Sequence, residues 1–272
     1  MHPSKRALDI ATEALKKDLS FLKAFDVDAS KINQRSAVFE RHFTNAGGEP
    51  IPVFVKVYTY RRHLLERLWR TGRARLETRN LLFFQQIVIP SAEVVAWGQR
   101  KNKFGKLIEE FIITRAVPDT LTLDKFVGQH CPDRNRPLYS NLRDQILTKL
   151  GQATAKIHQA HFFHKDLKWR NILASLNGEE VKLCWIDCPS GDFHPPPYPQ
   201  THGRLKDCAT LDKIARFKCT KEERLHFVAS YLKTSIGSDE VKAFAHAVSR
   251  YRRKRFDPMD DEQRHQTPDA AS

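Results

Sequence analysis

Eight residues constrain this chain more than any others: His164-Lys165-Asp166-Leu167-Lys168-Trp169-Arg170-Asn171. They follow a helical pattern over Asn141–Ala160 and precede a β-rich apolar run, Val181–Ile186, which reads as a strand and ends on Asp187. Helical spacing of apolar residues predicts the first element, and a short apolar run predicts the second. The stretch from Phe162 to Leu173 is therefore a loop dense in ionisable groups, with a carboxylate at a strand end downstream. A lone Asp at a strand end is ordinarily a turn residue or a helix cap. The spaced set of His, Asp, Leu and Asn, together with that later Asp, is what points to chemistry.

The pattern around the loop divides in two. Lys5–Phe25 has helical periodicity. Ser36–Thr44 and Ile51–Tyr58 read as strands, and Asn45-Ala46-Gly47-Gly48 between them is a hairpin signal. Thr59–Arg75 is strongly basic. Leu76–Gln86 reads as a helix, and Val88–Gly98 and Lys106–Ile113 as two further strands. Beyond them the pattern is mainly helical: Leu121–Val127, Asn141–Ala160, Lys206–Phe217, Lys221–Lys233 and Asp239–Tyr251. His194-Pro-Pro-Pro-Tyr-Pro199 cannot be helix and is expected to be extended.

Composition narrows the partners. The 46 basic and 32 acidic residues leave a net charge of +14, which favours an anionic partner. No recognisable nucleic-acid module is present, so nucleic acid is not the expected one. The five cysteines form no C-x-x-C pair and are expected to be reduced thiols of a cytosolic chain, without zinc. The first residues continue into a charged amphipathic stretch, so no signal peptide is expected. The apolar runs are far shorter than a membrane span, which predicts a soluble or peripheral protein.

The loop is similar to the protein-kinase catalytic loop, H-R-D-L-x-x-x-N, which is followed by a metal-binding Asp. Lys165 stands in the place of Arg. The order of strands and helices likewise resembles a kinase. The expected fold is α+β and bilobal, protein-kinase-like: a small antiparallel β-sheet lobe with one regulatory-type helix, then a mainly helical large lobe. The boundaries expected are a helical extension at 1–30, a nucleotide-binding lobe at 31–115, a catalytic lobe at 116–251 and a disordered tail at 252–272. Phosphoryl transfer needs a cation on the nucleotide phosphates, metal ions and a carboxylate that orients the attacking hydroxyl. Asp166 is the candidate base, and Lys168 the cation that reaches the transferred phosphate. Asn171 and Asp187 are the candidate Mg²⁺ ligands. Lys56, in Val53-Phe-Val-Lys-Val57, resembles the lysine of the kinase V-A-I-K strand. Its expected partner is Glu77 on the next helix, with Glu66 in the basic segment as the alternative. No G-x-G-x-x-G precedes Lys56, so the phosphates fall to Lys56, metal and either Arg35 or Ser36. His158 and His161 read as a helix end and its turn, and His164 as a structural member of the loop.

More closely, the chain resembles the lipopolysaccharide kinase family of Gram-negative bacteria (WaaP/InaA type, with the heptose and Kdo kinases) from about Ala37 to Leu232. The segments that carry this are Glu110-Phe-Ile-Ile-Thr-Arg115 with Leu121-Thr-Leu-Asp124, Gly203-Arg-Leu-Lys-Asp207 with Leu211, and Arg224–Leu232. The resemblance implies use of ATP with Mg²⁺ to phosphorylate a sugar hydroxyl, heptose or Kdo, of the lipopolysaccharide inner core. It implies that Ile113–Ala116 is a hinge holding adenine through backbone groups, which adds Ile113 and Arg115 to the nucleotide-binding set. It implies that Asp207 braces the catalytic loop. The loop itself, with Lys168 and Asn171, is closer to protein kinases than many members are, which leaves the acceptor sugar open. The arginines from Arg61 to Arg75, interleaved with Leu64, Leu65, Leu68 and Trp69, read either as an interfacial segment or as a solvated helix. The expected partners are the lipopolysaccharide core or its lipid A–core precursor and an anionic membrane surface, at the cytoplasmic face of the inner membrane. Two alternatives stand beside this reading. A protein Ser/Thr or small-molecule phosphotransferase is one, although Asp187 is followed by Cys188-Pro189 and D-F-G and A-P-E are absent. A non-catalytic scaffold is the other, opposed by Lys56, Asp166, Asn171 and Asp187 occurring together.

Overall fold

The computed structural model describes residues 36–44, 50–60, 71–133 and 137–257. The expected helix at 5–25, the hairpin turn at 45–48, Arg35, Glu66, the arginines of 61–70 and the residues beyond 257 lie outside that set. The chain forms two compact units, one of residues 1–118 with 186–190 and one of residues 119–185 with 191–272.

The first unit is built on a four-stranded sheet of order β1-β2-β4-β3. Strand β1 (Ser36–Thr44) pairs antiparallel with β2 (Pro50–Thr59) from Ser36 opposite Tyr58 to Thr44 opposite Pro50. After β2 comes helix α1 (Arg73–Gln86), then β3 (Val94–Lys101) and β4 (Leu107–Arg115). Successive side chains of a strand face opposite ways. Val53, Val55 and Val57 therefore fall on one face, fully buried with Ala37, Phe43, Phe111 and Ile113. Phe54, Lys56 and Tyr58 fall on the other. Helix α1 begins three residues before the expected Leu76 and takes in Arg73 and Arg75. The strand expected from Val88 starts only at Val94. Ile89 instead donates its amide to the Phe84 carbonyl, Val88 adopts a left-handed backbone, and Pro90 follows, so the helix end is a tight turn.

The second unit begins with β5 (Leu121–Thr122), α2 (Leu123–His130) and α3 (Pro137–Gln159). A short β6 (Phe162–Phe163) leads through the loop to a 3₁₀ turn at Trp169–Asn171, then to β7 (Ile172–Asn177) and β8 (Glu180–Trp185). After β9 (Asp192–Phe193) come α4 (Thr201–Lys218), α5 (Lys221–Leu232) and α6 (Asp239–Phe256). Strands β5-β7-β8 form one small sheet, and β6 pairs with β9. The helices bury Ala155, Cys208, Ala209, Tyr231 and Val248 in one cluster and Val228, Ala229 and Val241 in another. All five cysteines are free.

The expected tail boundary at residue 252 needs correction, because α6 continues to Phe256. Arg252 is buried and donates from Nε to Asp212 at 2.8 Å, and it also pairs with Asp257. Arg224 and Arg216 reach the same two carboxylates. The basic run from Arg252 is thus partly inside, where opposite charges hold it.

Candidate active site

In the first unit one ammonium meets two carboxylates. Lys56 projects from the mid-strand position of β2, with its Nζ 2.6 Å from Asp187 Oδ1 and 3.3 Å from Glu77. Glu77 is buried on α1 and accepts a second hydrogen bond from the Tyr58 hydroxyl at 2.6 Å. Lys56 and Tyr58 are two apart on one strand, so both face the helix. Asn80, one turn after Glu77 on the same face of α1, donates to the Cys188 carbonyl at 2.8 Å and so fixes the segment that carries Asp187. Asp187 has a φ of 59°, a left-handed conformation that non-glycine residues seldom adopt. Burial opposes the charge on Lys56, but Glu77 and Asp187 outweigh it and hold the ammonium above its usual range. Burial raises Glu77 against the pull of Lys56. Burial and the Glu77 carboxylate likewise keep the Tyr58 hydroxyl protonated.

Beside this cation the sheet exposes apolar surface. Val38 lies directly across from Lys56, and Phe54 two residues before it; they are 56% and 40% exposed. An apolar platform next to an ammonium suits a flat base linked to an anion. Neither residue is marked by the sequence pattern; the strand register places them beside Lys56. The expected hinge, 113–116, lies at the end of β4. Ile113 is fully buried between Val55 and Ala96, with strands on both sides. The amide of Arg115 donates to the Glu93 carbonyl and that of Ala116 to the Pro52 carbonyl, both at 2.9 Å. An amide has a single proton to donate, so these two are already engaged. The Arg115 guanidinium is paired with Glu93 as well. Ser36, the expected phosphate contact, is the first residue of β1 opposite Tyr58.

In the second unit the loop is pinned from beneath. Asp207, fully buried on α4, accepts the amides of His164 and Lys165, each at 2.7 Å, and lies 3.3 Å from His158. Lys165 is held with a φ of 64°. From Asp166 to Trp169 the side chains alternate: Leu167 and Trp169 are buried, while Asp166 and Lys168 are both 38% exposed. Trp169 donates its indole N–H to the Leu211 carbonyl at 3.1 Å. The two anchors thus turn Asp166 and Lys168 to the same side, where Lys168 Nζ stands 2.6 Å from Asp166 Oδ1. Asn171 is buried and donates its amide nitrogen to the Asp166 carbonyl at 2.9 Å. The Asn171 side-chain oxygen is not used in that bond.

The Asp187 carboxylate of the first unit, 40% exposed, and the Asn171 amide oxygen of the second are each hard donors, of the kind that suits Mg²⁺. No group of three or more His, Cys, Asp or Glu forms a metal cluster among the described residues.

The model of the lipopolysaccharide kinase (Kdo/WaaP) family matches residues 56–231, well over half of the chain. A solved structure described as WaaP in complex with acyl carrier protein is similar, with a TM-score of 0.61 at 18% identity. The match covers 90% of this chain and 96% of that one. At that identity the likeness establishes the fold, which is α+β and kinase-like. No curated protein matches the sequence. Its kinase-type loop, its strand lysine and the span of the family match together establish that this chain belongs to the lipopolysaccharide kinase (Kdo/WaaP) family.

Proposed function

We propose that this protein transfers the γ-phosphoryl group of ATP to a sugar hydroxyl, on heptose or Kdo, of the lipopolysaccharide inner core. The observation that carries the nucleotide half is the Lys56 ammonium, held by Glu77 and Asp187 on a sheet face that exposes Val38 and Phe54. Family membership carries the acceptor half. In this reading Lys56 neutralises nucleotide phosphate oxygens, and Glu77 with Tyr58 aims it. Asp187 and Asn171 are the oxygen ligands for Mg²⁺, which when bound neutralises charge on the phosphates. Asp166 accepts the proton of the acceptor hydroxyl as its oxygen bonds to phosphorus. The bond from phosphorus to the bridging oxygen breaks, and its electron pair leaves with ADP. Lys168 exchanges its Asp166 contact for the transferred phosphoryl oxygens and offsets the charge there.

The acceptor is itself a phosphorylated amphiphile, met in this reading as the lipid A–core precursor at an anionic membrane surface. No helix among the described residues is long and apolar enough to cross a membrane. Arg73, Arg75 and Arg79 are exposed on α1 and add cationic surface for such a contact.

The test is transfer of radiolabelled phosphate from ATP to purified lipopolysaccharide core from a strain lacking this chain, with mass spectrometry locating the added phosphate. Wild type is expected to add one phosphate to a heptose or Kdo. Asp166→Ala and Asp187→Ala should each lower kcat by a thousandfold or more, on the order expected for removal of an essential catalytic group, while keeping a wild-type circular dichroism spectrum. Turnover like wild type in either variant overturns the assignment, and so does phosphate on another acceptor class.

A further inference from the structure

Helix α1 carries Glu77, yet its own sequence starts it badly. The N-cap is Gly72, which has no side chain to accept an amide, and the first turn has no acidic residue. It has Arg73 and Arg75 instead, cations at the positive end of the helix dipole. The first amides of a helix have no partner within it and are ordinarily satisfied by a capping side chain. Here the acceptor comes from another element. Glu110, fully buried on β4, accepts the Ala74 amide at 3.2 Å through Oε2. The same oxygen accepts the Tyr60 hydroxyl at 2.6 Å, and that hydroxyl in turn accepts the Arg73 amide at 3.0 Å. Burial and the Glu110 contact keep Tyr60 protonated and able to donate.

Gly72 makes this approach possible. A Cβ at that position would stand 1.9 Å from Glu110 Oε1 and 2.1 Å from its Cδ. Oε1 itself has no hydrogen-bond partner among the described residues. A contact selected for stability alone would satisfy both oxygens of a buried carboxylate, since an unsatisfied one costs about 1–3 kcal/mol. What this carboxylate does achieve is to fix the start of α1 one turn before Glu77, and thereby the distance from Glu77 to Lys56.

We propose that Glu110 is a positioning residue for phosphoryl transfer: from strand β4 it caps helix α1, with Tyr60 as its relay, and holds Glu77 against Lys56. The inference rests on the proposed role of Lys56 with ATP. Its chemistry lies wholly in the Glu77–Lys56 pair, so losing Glu110 should matter only while that pair exists.

The experiment is a double-mutant cycle of Glu110→Ala with Glu77→Gln, scored by KM for ATP and by kcat, with hydrogen exchange of residues 73–86 followed in parallel. Glu110→Ala should raise KM for ATP and lower kcat, about tenfold to a hundredfold combined, while KM for the acceptor stays unchanged. In the Glu77→Gln background the same change should add little, because coupled residues are not additive. Gly72→Ala, which keeps the acid but displaces it, should reproduce the defect. Glu110→Gln retains an acceptor oxygen and should restore most of the activity. The amides at the start of α1 should exchange faster in Glu110→Ala and Gly72→Ala whatever the activity. Additive losses, unchanged kinetics in a folded Glu110→Ala protein, or unchanged exchange of the first turn would each overturn the inference. A wild-type protein that transfers no phosphate while the helix start still loosens would instead sink the proposed function alone.

Discussion

At the scale of single residues, the Lys56 cluster holds more negative than positive charge and balances it by hydrogen bonding. Glu77 is nearly sealed from solvent, and its charge is tolerated because Lys56 and Tyr58 both donate to it. Removing one partner of a buried pair leaves the other without compensation, at a cost of about 3–5 kcal/mol. Lys56→Met should therefore destabilise the protein by about 3 kcal/mol, and adding Glu77→Gln should recover part of that loss by removing the stranded acid. The pH dependence has a definite sign. Lys56 is raised above its ordinary 10.5 in the folded protein. Its contribution is therefore fully present below pH 10.5 and lost as pH rises through the folded value. Urea denaturation should show a constant gap between wild type and Lys56→Met from neutral pH to about pH 10, closing only above it. Glu77 is raised as well, by burial, so its linkage has the same sign: protonation favours the fold at that residue, and acid does not unfold the protein through it. A gap that closes near neutral pH would mean that Lys56 is not charged in the fold.

At the scale of elements, helix α5 and helix α1 show two ways to start a helix. Helix α5 has a capping box within its own sequence: Thr220 accepts the Glu223 amide and Glu223 accepts the Thr220 amide. Thr220→Ala should cost about 1 kcal/mol. Asp212→Ala should cost more, about 3 kcal/mol, because it leaves the buried Arg252 with Asp257 alone and frees Arg224. Thermal unfolding of the two variants side by side checks the order, and equal losses would remove Asp212 as the anchor of α6. The same contrast explains what could be read in advance. Strand β1 is legible to the residue, because alternation around Ala37 and Phe43 survives in the sequence. The start of α1 is not legible, because its cap sits on β4, some thirty-six positions along the chain. The two-residue strands β5, β6 and β9 are too short to show any period. In the site, Lys56, Asp166 and Asp187 stand out by local pattern. Val38, Phe54, Asn80 and Tyr58 matter through cross-strand register or tertiary contact, and no local spacing announces that. The amides of Arg115 and Ala116 likewise look free in sequence, and the Glu93 and Pro52 carbonyls occupy them in the fold.

At the scale of the whole molecule, the property that remains is charge. A net charge of +14 sets up a long-range field that attracts an anionic acceptor and weakens with salt. Lipopolysaccharide core on a membrane is such an acceptor, whereas a free neutral sugar is not. The second-order rate constant for the lipid-linked acceptor should therefore fall steeply between low and physiological salt, while that for an uncharged core saccharide changes little. Which basic residues supply the attraction separates the two readings of the arginine-rich segment. Arg252 is excluded as a contact because Asp212 and Asp257 neutralise it inside the protein. Arg73, Arg75 and Arg79 are exposed, and Arg61, Arg62, Arg67 and Arg70 precede them in sequence. Replacing those last four by Ser lowers the net charge to about +10 at pH 7 without touching Lys56 or its partners. Sedimentation with anionic vesicles should drop, by roughly 1 kcal/mol of binding for each arginine that sits at the surface. Turnover of the soluble saccharide should stay as it was. Vesicle binding that survives all four changes would make this segment a solvated helix and move the membrane contact elsewhere. Loss of soluble turnover as well would mean that these arginines serve the nucleotide-binding unit rather than a surface.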